Sequence, residues 1–326
     1  MMKLYPCILL SDFGMTRLAS PVTTATAHRW STTDNANFAP TLTRAQMLWD
    51  RRSLRIATNA STATGDRVEY GVAATDLDDN DIANAFGNVI DDLTWCTNLA
   101  CWLYHTDDYY NAGDPDEFQF FVTDGATPVN VNWPSTFNAT DRWLWATGTP
   151  ASGSFASNGQ NIEQFGFKAT APFTASSYFY INTFCAYRTT LSSTGNDYTF
   201  SNGIELSSSS IIATDQNRWR VTGNIIGNRP VDLARQLHEM STLDVESLTP
   251  VRRPTPKYQA LHDCDNLKTY LLYQTETLGP RQLAANSGKT TTACVPVIIT
   301  NVETEWTAPS KEIISFSFDA LRFGGV

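Results

Sequence analysis

Lysine is scarce in this chain. Six lysines stand against seventeen arginines in 326 residues, and charged residues make up only 17%. Low lysine means little flexible charged surface, a bias shared with protein interfaces, where Arg and aromatics are enriched. Cysteine is also sparse. Cys7, Cys96, Cys101, Cys185, Cys264 and Cys294 are scattered, without the density of a disulfide-stapled secreted scaffold, and read as reduced, buried thiols. No apolar run approaches the length of a membrane span. Leu4 to Leu10 is too short for a signal core and is broken by Asp12, so it reads as a first strand. There is no G-x-S-x-G, no Walker loop and no G-x-G-x-x-G, so no cofactor is expected. A net charge of −10 repels nucleic acid at long range and argues against direct nucleic-acid binding.

What is abundant is Thr, Ser, Asn and Gly, together with nine Trp, twelve Tyr and seventeen Phe. A disordered chain has few aromatics and many charges; this one can bury a core. Strand-like runs recur at Arg67 to Ala73, Phe118 to Thr123, Phe165 to Ala169, Tyr178 to Arg188, Tyr198 to Leu206 and Trp219 to Thr222. Turn-rich clusters such as Thr147 to Gly159 separate them. This texture predicts a mainly β fold: an antiparallel β-sandwich or jelly-roll-like region over 1–222, and a smaller α+β region over 223–326. Both faces of Tyr178 to Tyr187 are apolar or aromatic, as in a central strand covered on both sides.

Two helices are predicted. Asp81 to Trp102 places Ile82, Phe86, Val89, Ile90, Leu93 and Thr97 at helical spacing. Val231 to Leu243, opened by Pro230, repeats Leu233, Leu237, Met240 and Leu243 on one face. A proline-rich linker, Thr249 to Lys257, carries Arg252 and Arg253. The chain then closes on a predicted hairpin. Its strands are Val295 to Val302 and Ile313 to Phe323, joined by a loop over Glu303 to Glu312. Ile314, Phe316, Phe318 and Ala320 share one face of the last strand, and Ser315, Ser317 and Asp319 share the other.

Candidate chemistry is thin. Asp76, Asp78, Asp79 and Asp81 are dense enough for calcium, but neither the sixth-position Gly nor the twelfth-position Glu of an EF-hand is present. Cys96, Cys101 and His105 lack zinc-knuckle spacing, so no metal site is assigned. His262-Asp263-Cys264-Asp265 has no companion oxyanion group. A carboxylate pair for glycoside hydrolysis has no sequence spacing to find. Trp133, Trp143 and Trp145 offer a different chemistry. Aromatic faces beside Asp and Asn stack on the apolar faces of sugars, and the same rings also serve to pack a core.

The Thr/Asn-rich β texture, the single helix Val231 to Leu243 and the closing strand EIISFSFDALRF resemble a structural protein of a tailed-bacteriophage virion, of the tail or baseplate type. That resemblance implies a non-enzymatic component, made in the host cytoplasm and resident in the virion. It implies self-association into a homo-oligomer and docking to other virion proteins; it transfers no functional residue. The strand Ile313 to Phe323 and the linker Thr249 to Lys257 are the expected contact regions, with Ile314, Phe316, Phe318, Arg252 and Arg253 as interface candidates. The alternatives are a carbohydrate- or receptor-binding fibre module using Trp133, Trp143 and Trp145, a capsid decoration protein, and a β-fold glycoside hydrolase.

Overall fold

The period-two alternation of the last strand is the plainest structural signal in the sequence, and the fold is built around such alternations. A computed structural model describes residues 2–11, 30–32, 38–48, 51–59, 61–71, 93–105, 118–132, 143–160, 162, 164–170, 177–190, 204–206, 210–215, 218–226, 234, 237, 238, 240, 269–274, 293–306 and 313–322. These residues form a mainly β, antiparallel protein. They fall into two units. Unit 1 holds the chain through Ile8 and the described residues from Tyr187 onward; unit 2 holds those from Leu9 to Ala186. The division therefore falls near residue 187 rather than 222, and the N-terminal strand belongs with the C-terminal region.

In unit 1 the strand order is β14(Ser210–Asp215), β15(Arg218–Ile226), β18(Ile313–Arg322), β17(Ala293–Trp306), β16(Thr269–Gln274), β1(Met2–Ser11), with β13(Ile204–Leu206) also on β1. On β18, Ile314, Phe316, Phe318 and Ala320 are at most 4% exposed. Trp219 and Val221 of β15 lie opposite Ala320 and Phe318 and share that buried face. Fully burying a side chain such as Phe318 stabilises by about 1.5–3 kcal/mol. Ala234, Leu237 and Met240 are helical and buried while His238 is helical and exposed, the segregation an amphipathic helix requires.

The closing hairpin departs from its expected form. β17 does not stop at Val302 but runs on to Trp306, which pairs with Ile314. The register explains why. Thr300 lies opposite Asp319, but Glu303 lies opposite Ser317, so one extra residue is inserted between them. Asn301 sits there at φ 51, in the left-handed region that Asn tolerates better than most residues. The bulge reverses the alternation, so Glu303 and Glu305 join Thr300 on the polar face. A strand that changes phase midway reads as strand plus loop.

In unit 2, one sheet runs β10(Pro150–Ser152), β8(Val129–Asn132), β7(Phe118–Thr123), β11(Gln164–Ala169), β5(Arg67–Gly71), β2(Trp30–Thr32). The other strands are β12(Ser177–Tyr187), β4(Arg51–Thr58) and β3(Phe38–Leu48) in that order, with β6(Asn98–His105) pairing both β12 and β9(Leu144–Gly148). Phe184 of β12 packs against Phe120, Phe165 and Phe167 at centroid distances of 5.4–5.9 Å, which joins the two layers as in a β-sandwich. One short helix, α1(Phe155–Asn158), lies between β10 and β11. The turn-rich reading of Thr147 to Gly159 thus covers β10, α1 and the end of β9.

The predicted helix Asp81 to Trp102 is corrected at its C-terminal end, where Asn98 to Trp102 is strand β6. There Leu99, Cys101 and Leu103 alternate with Ala100, Trp102 and Tyr104, and period two wins over the weaker helical spacing. Its first residues, 81–92, lie outside the described residues. The central strand β12 is buried from Phe179 to Tyr187, but Tyr178 is 45% exposed.

Candidate functional site

Three short patterns in unit 2 share one form: Trp102-Leu103-Tyr104, Trp143-Leu144-Trp145 and Tyr178-Phe179-Tyr180. In extended backbone, an aromatic two residues after another puts both rings on one side of the strand. Pairing then gathers the patterns. Trp102 lies opposite Trp145, and their rings meet edge to face at 5.6 Å. Tyr104 meets Trp143 at 5.7 Å and Tyr180 at 5.8 Å. Tyr180 lies opposite Arg55 on β4, and the Arg55 guanidinium sits 5.0 Å from the centre of the Tyr178 ring. The result is a row of aromatic rings across β9, β6 and β12 that ends in Arg55 on β4. Three inter-strand steps make it about 14 Å wide.

The alternate positions on these strands are apolar: Leu99, Cys101, Leu103, Ala146, Leu54, Ile56, Phe179 and Ile181 are all buried. The aromatic face therefore holds the polar tips, and their hydrogen bonding is uneven. Trp143 is 2% exposed and its indole N–H donates to the Met47 carbonyl at 3.2 Å. Trp102 and Tyr180 are likewise buried. Trp145, Tyr104 and Arg55 are half-buried and Tyr178 is exposed. Four buried side-chain polar atoms lack a hydrogen-bond partner among the described residues, and two of them, Trp145 Nε1 and Arg55 Nε, belong to this face. The other two are Asn130 Oδ1 and Thr170 Oγ1. A buried donor left unmade costs about 1–3 kcal/mol. Two of them lie beside half-open rings, where a water or a ligand can supply the acceptor. Burial pushes the Tyr180 hydroxyl above its ordinary pKa, against the lowering influence of Arg55, so it stays protonated at neutral pH.

The sugar-stacking candidates divide three ways. Trp145 is on the row with its N–H unpaired. Trp143 is on the row but enclosed, so it supports neighbouring rings rather than a ligand. Trp133 lies outside the described residues. Tyr178, Tyr104 and Arg55 were missed. The repeated aromatic-x-aromatic pattern marked the first two; nothing local marked Arg55, which is brought there by the β4–β12 pairing.

Unit 1 holds a second polar constellation. Asp319 is 5% exposed. Arg218 bonds its Oδ2, Asn301 donates to Oδ2 at 2.7 Å, and Arg220 reaches Oδ1 at 3.3 Å. Arg220 also binds Glu303 at 2.9 Å and Ser317 at 2.7 Å, and Ser317 donates to Glu303 at 2.9 Å. Burial raises the Asp319 pKa, but bonds from Asn301, Arg218 and Arg220 outweigh it and hold the carboxyl below its ordinary range. A carboxylate held ionised by its own cations is a poor proton donor at neutral pH. The interface candidates Ile314, Phe316 and Phe318 lie on the opposite, core face of the same sheet and are not available for docking; Arg252 and Arg253 lie outside the described residues.

Cys96, Cys101 and Cys185 are buried, and Cys101 and Cys185 are free thiols. Burial pushes the Cys101 and Cys185 thiols well up, and Cys185 adds to the effect at Cys101. Cys101 and Cys185 therefore stay protonated at neutral pH, whereas nucleophilic attack and metal ligation need the thiolate. Among the described residues no three His, Cys, Asp or Glu side chains are grouped to hold a metal, and no helix is long and apolar enough to cross a membrane.

No family model and no curated protein matches the sequence. Among solved structures, the CBM22-1 xylan-binding domain of Paenibacillus barcinonensis Xyn10C aligns with a TM-score of 0.32 and 10% identity, over 56% of this chain and 96% of that one. The CBM22-1-CBM22-2 tandem of the same protein aligns with a TM-score of 0.32 and 9% identity, over 98% and 91%. An exo-β-agarase aligns with a TM-score of 0.35 and 7% identity over 54% of this chain, which spans 24% of that enzyme. Likeness at this level does not establish a common fold or a common ligand.

Proposed function

We propose that the chain is a carbohydrate-binding protein and that the aromatic face of unit 2 is its binding surface. One observation carries the reading. A row of Trp and Tyr rings lies on one side of three paired strands, open at Tyr178 and partly open at Trp145 and Tyr104, with an unpaired indole N–H beside it and Arg55 of a fourth strand at its end. Sugars present flat C–H faces to aromatic rings and hydroxyl oxygens to donors, so they complement both features. Affinity electrophoresis through a panel of polysaccharides tests it. A retarded wild-type band, restored to free mobility by Tyr178→Ala, supports the reading; no retardation on any polymer overturns it.

Self-association as a virion component is the second reading, and one observation favours it. β14 ends the strand order of unit 1 and carries Ile212 at 62% exposure, while Trp306 of β17 is 46% exposed. An uncovered edge strand with an apolar side chain is a template for pairing with another chain. Light scattering that shows a defined oligomer, returned to monomer by Ile212→Lys, would favour this reading. A concentration-independent monomer would remove it.

A further inference from the structure

Among the described residues, no acid meets the cation of the aromatic face. Arg55 stands on β4 opposite Tyr180, half-buried, with its guanidinium over the Tyr178 ring. Its Nε is buried without a hydrogen-bond partner, and among the described residues no carboxylate pairs with it. The contrast inside the same chain is sharp, since Arg218 and Arg220 are tied to Asp319 and Glu303. A partly desolvated guanidinium without a counter-charge is costly, and its planar fork of donors fits a planar carboxylate.

Resting on the carbohydrate reading, we infer that the bound glycan is acidic and that Arg55 receives the carboxylate of a uronic acid residue while the neighbouring sugar lies against Tyr178. The Tyr178 ring and the Arg55 fork are in contact, so stacking and charge recognition fall on adjacent parts of one oligosaccharide. The overall negative charge opposes a polyanion at long range. At about 0.15 M salt the screening length is roughly 8 Å, so the local contact decides the outcome.

Isothermal titration at that salt, with a polyuronate, its carboxyl-reduced neutral counterpart and a sulfated polymer of the same linkage, tests the inference. The expected result is a polyuronate bound about tenfold more tightly than the neutral polymer. Arg55→Gln should bring the two affinities together, and Arg55→Lys, which keeps the charge but not the fork, should leave an intermediate preference. Circular dichroism establishes that each variant is folded, and the Lys variant serves if Gln fails to fold. Equal wild-type affinity for charged and neutral polymers overturns the acidic assignment and leaves the binding reading standing. Tighter binding of the sulfated polymer overturns the carboxylate. Binding to none of the three, with no retardation on any polymer of the wider panel, overturns the reading beneath both.

Discussion

Unit 1 and unit 2 each display a polar arrangement on a β-sheet, and the two are finished differently. On unit 1, Asp319 is met by Arg218, Arg220 and Asn301, and Glu303 by Arg220 and Ser317. Donors and acceptors answer one another within the sheet. On unit 2, the aromatic face leaves Trp145 Nε1 and Arg55 Nε unanswered. A closed network specifies and stabilises a fold; an open one has free energy to gain from something else. Among the described residues, the denser cluster of charge is therefore the poorer candidate for function, and the site with fewer charges but missing partners is the better one.

The contrast breaks most readily at the core of unit 1. Phe318→Asp buries an unpaired carboxylate where exposure is 0% and should cost about 4 kcal/mol or more. Loss of the cooperative melt is expected. A folded Phe318→Asp protein that merely fails to oligomerise would return that strand to the list of docking surfaces. Removing the hub of the closed network should cost less: Asp319→Asn is expected to destabilise by about 1.5–3 kcal/mol, the range for hydrogen bonds to charged groups.

The sign of its pH dependence follows from the lowered pKa. Unfolded Asp titrates near 3.9, roughly, so the contribution is fully present above about pH 4 and fades as pH falls through the lower folded value. Denaturant melts of wild type and Asp319→Asn should therefore converge below about pH 4. A gap that persists unchanged to pH 2 would show that the carboxylate's charge is irrelevant.

On the open face the pattern reverses, with ligand binding moving more than stability. Trp145→Phe keeps an aromatic face, smaller than the indole, and removes the unpaired N–H, so affinity for a bound glycan should fall by about tenfold, or 1.4 kcal/mol. The half-buried site loses some packing against Trp102 but no internal hydrogen bond, so the melting free energy should fall by only about 1 kcal/mol. A loss of about 3 kcal/mol or more in that variant would show that the ring is a core element rather than part of an open face. Smallest of all is the response of the thiols: Cys101 and Cys185 should resist an aromatic disulfide reagent in the native protein and react on denaturation.

The β character and the buried phase of the last strand were legible because Ile314, Phe316 and Phe318 stand at strict period two. The start of β7 and the extent of β12 were legible for the same reason. β3 and β4 were not: Arg51-Arg52-Ser53-Leu54-Arg55 reads as polar, and only pairing with β12 buries Leu54 and Ile56. The site was half visible. Trp143 and Trp145 could be named, but which of them is enclosed depends on Met47, 96 residues earlier, accepting a hydrogen bond. Arg55 owes its role to a strand pairing that no local window contains.

The bulge at Asn301 couples two properties that are usually separate. Its backbone, at φ 51, sets which half of β17 is wet, and its side chain completes the coordination of Asp319. Asn301→Gly would keep the first and lose the second, a graded defect. Deleting the residue would exchange the inside and outside of everything from Glu303 to Trp306, turning carboxylates inward in one step. At this position the gene tolerates substitution by degrees and length change hardly at all, so alleles that vary here should differ in spelling and never in length.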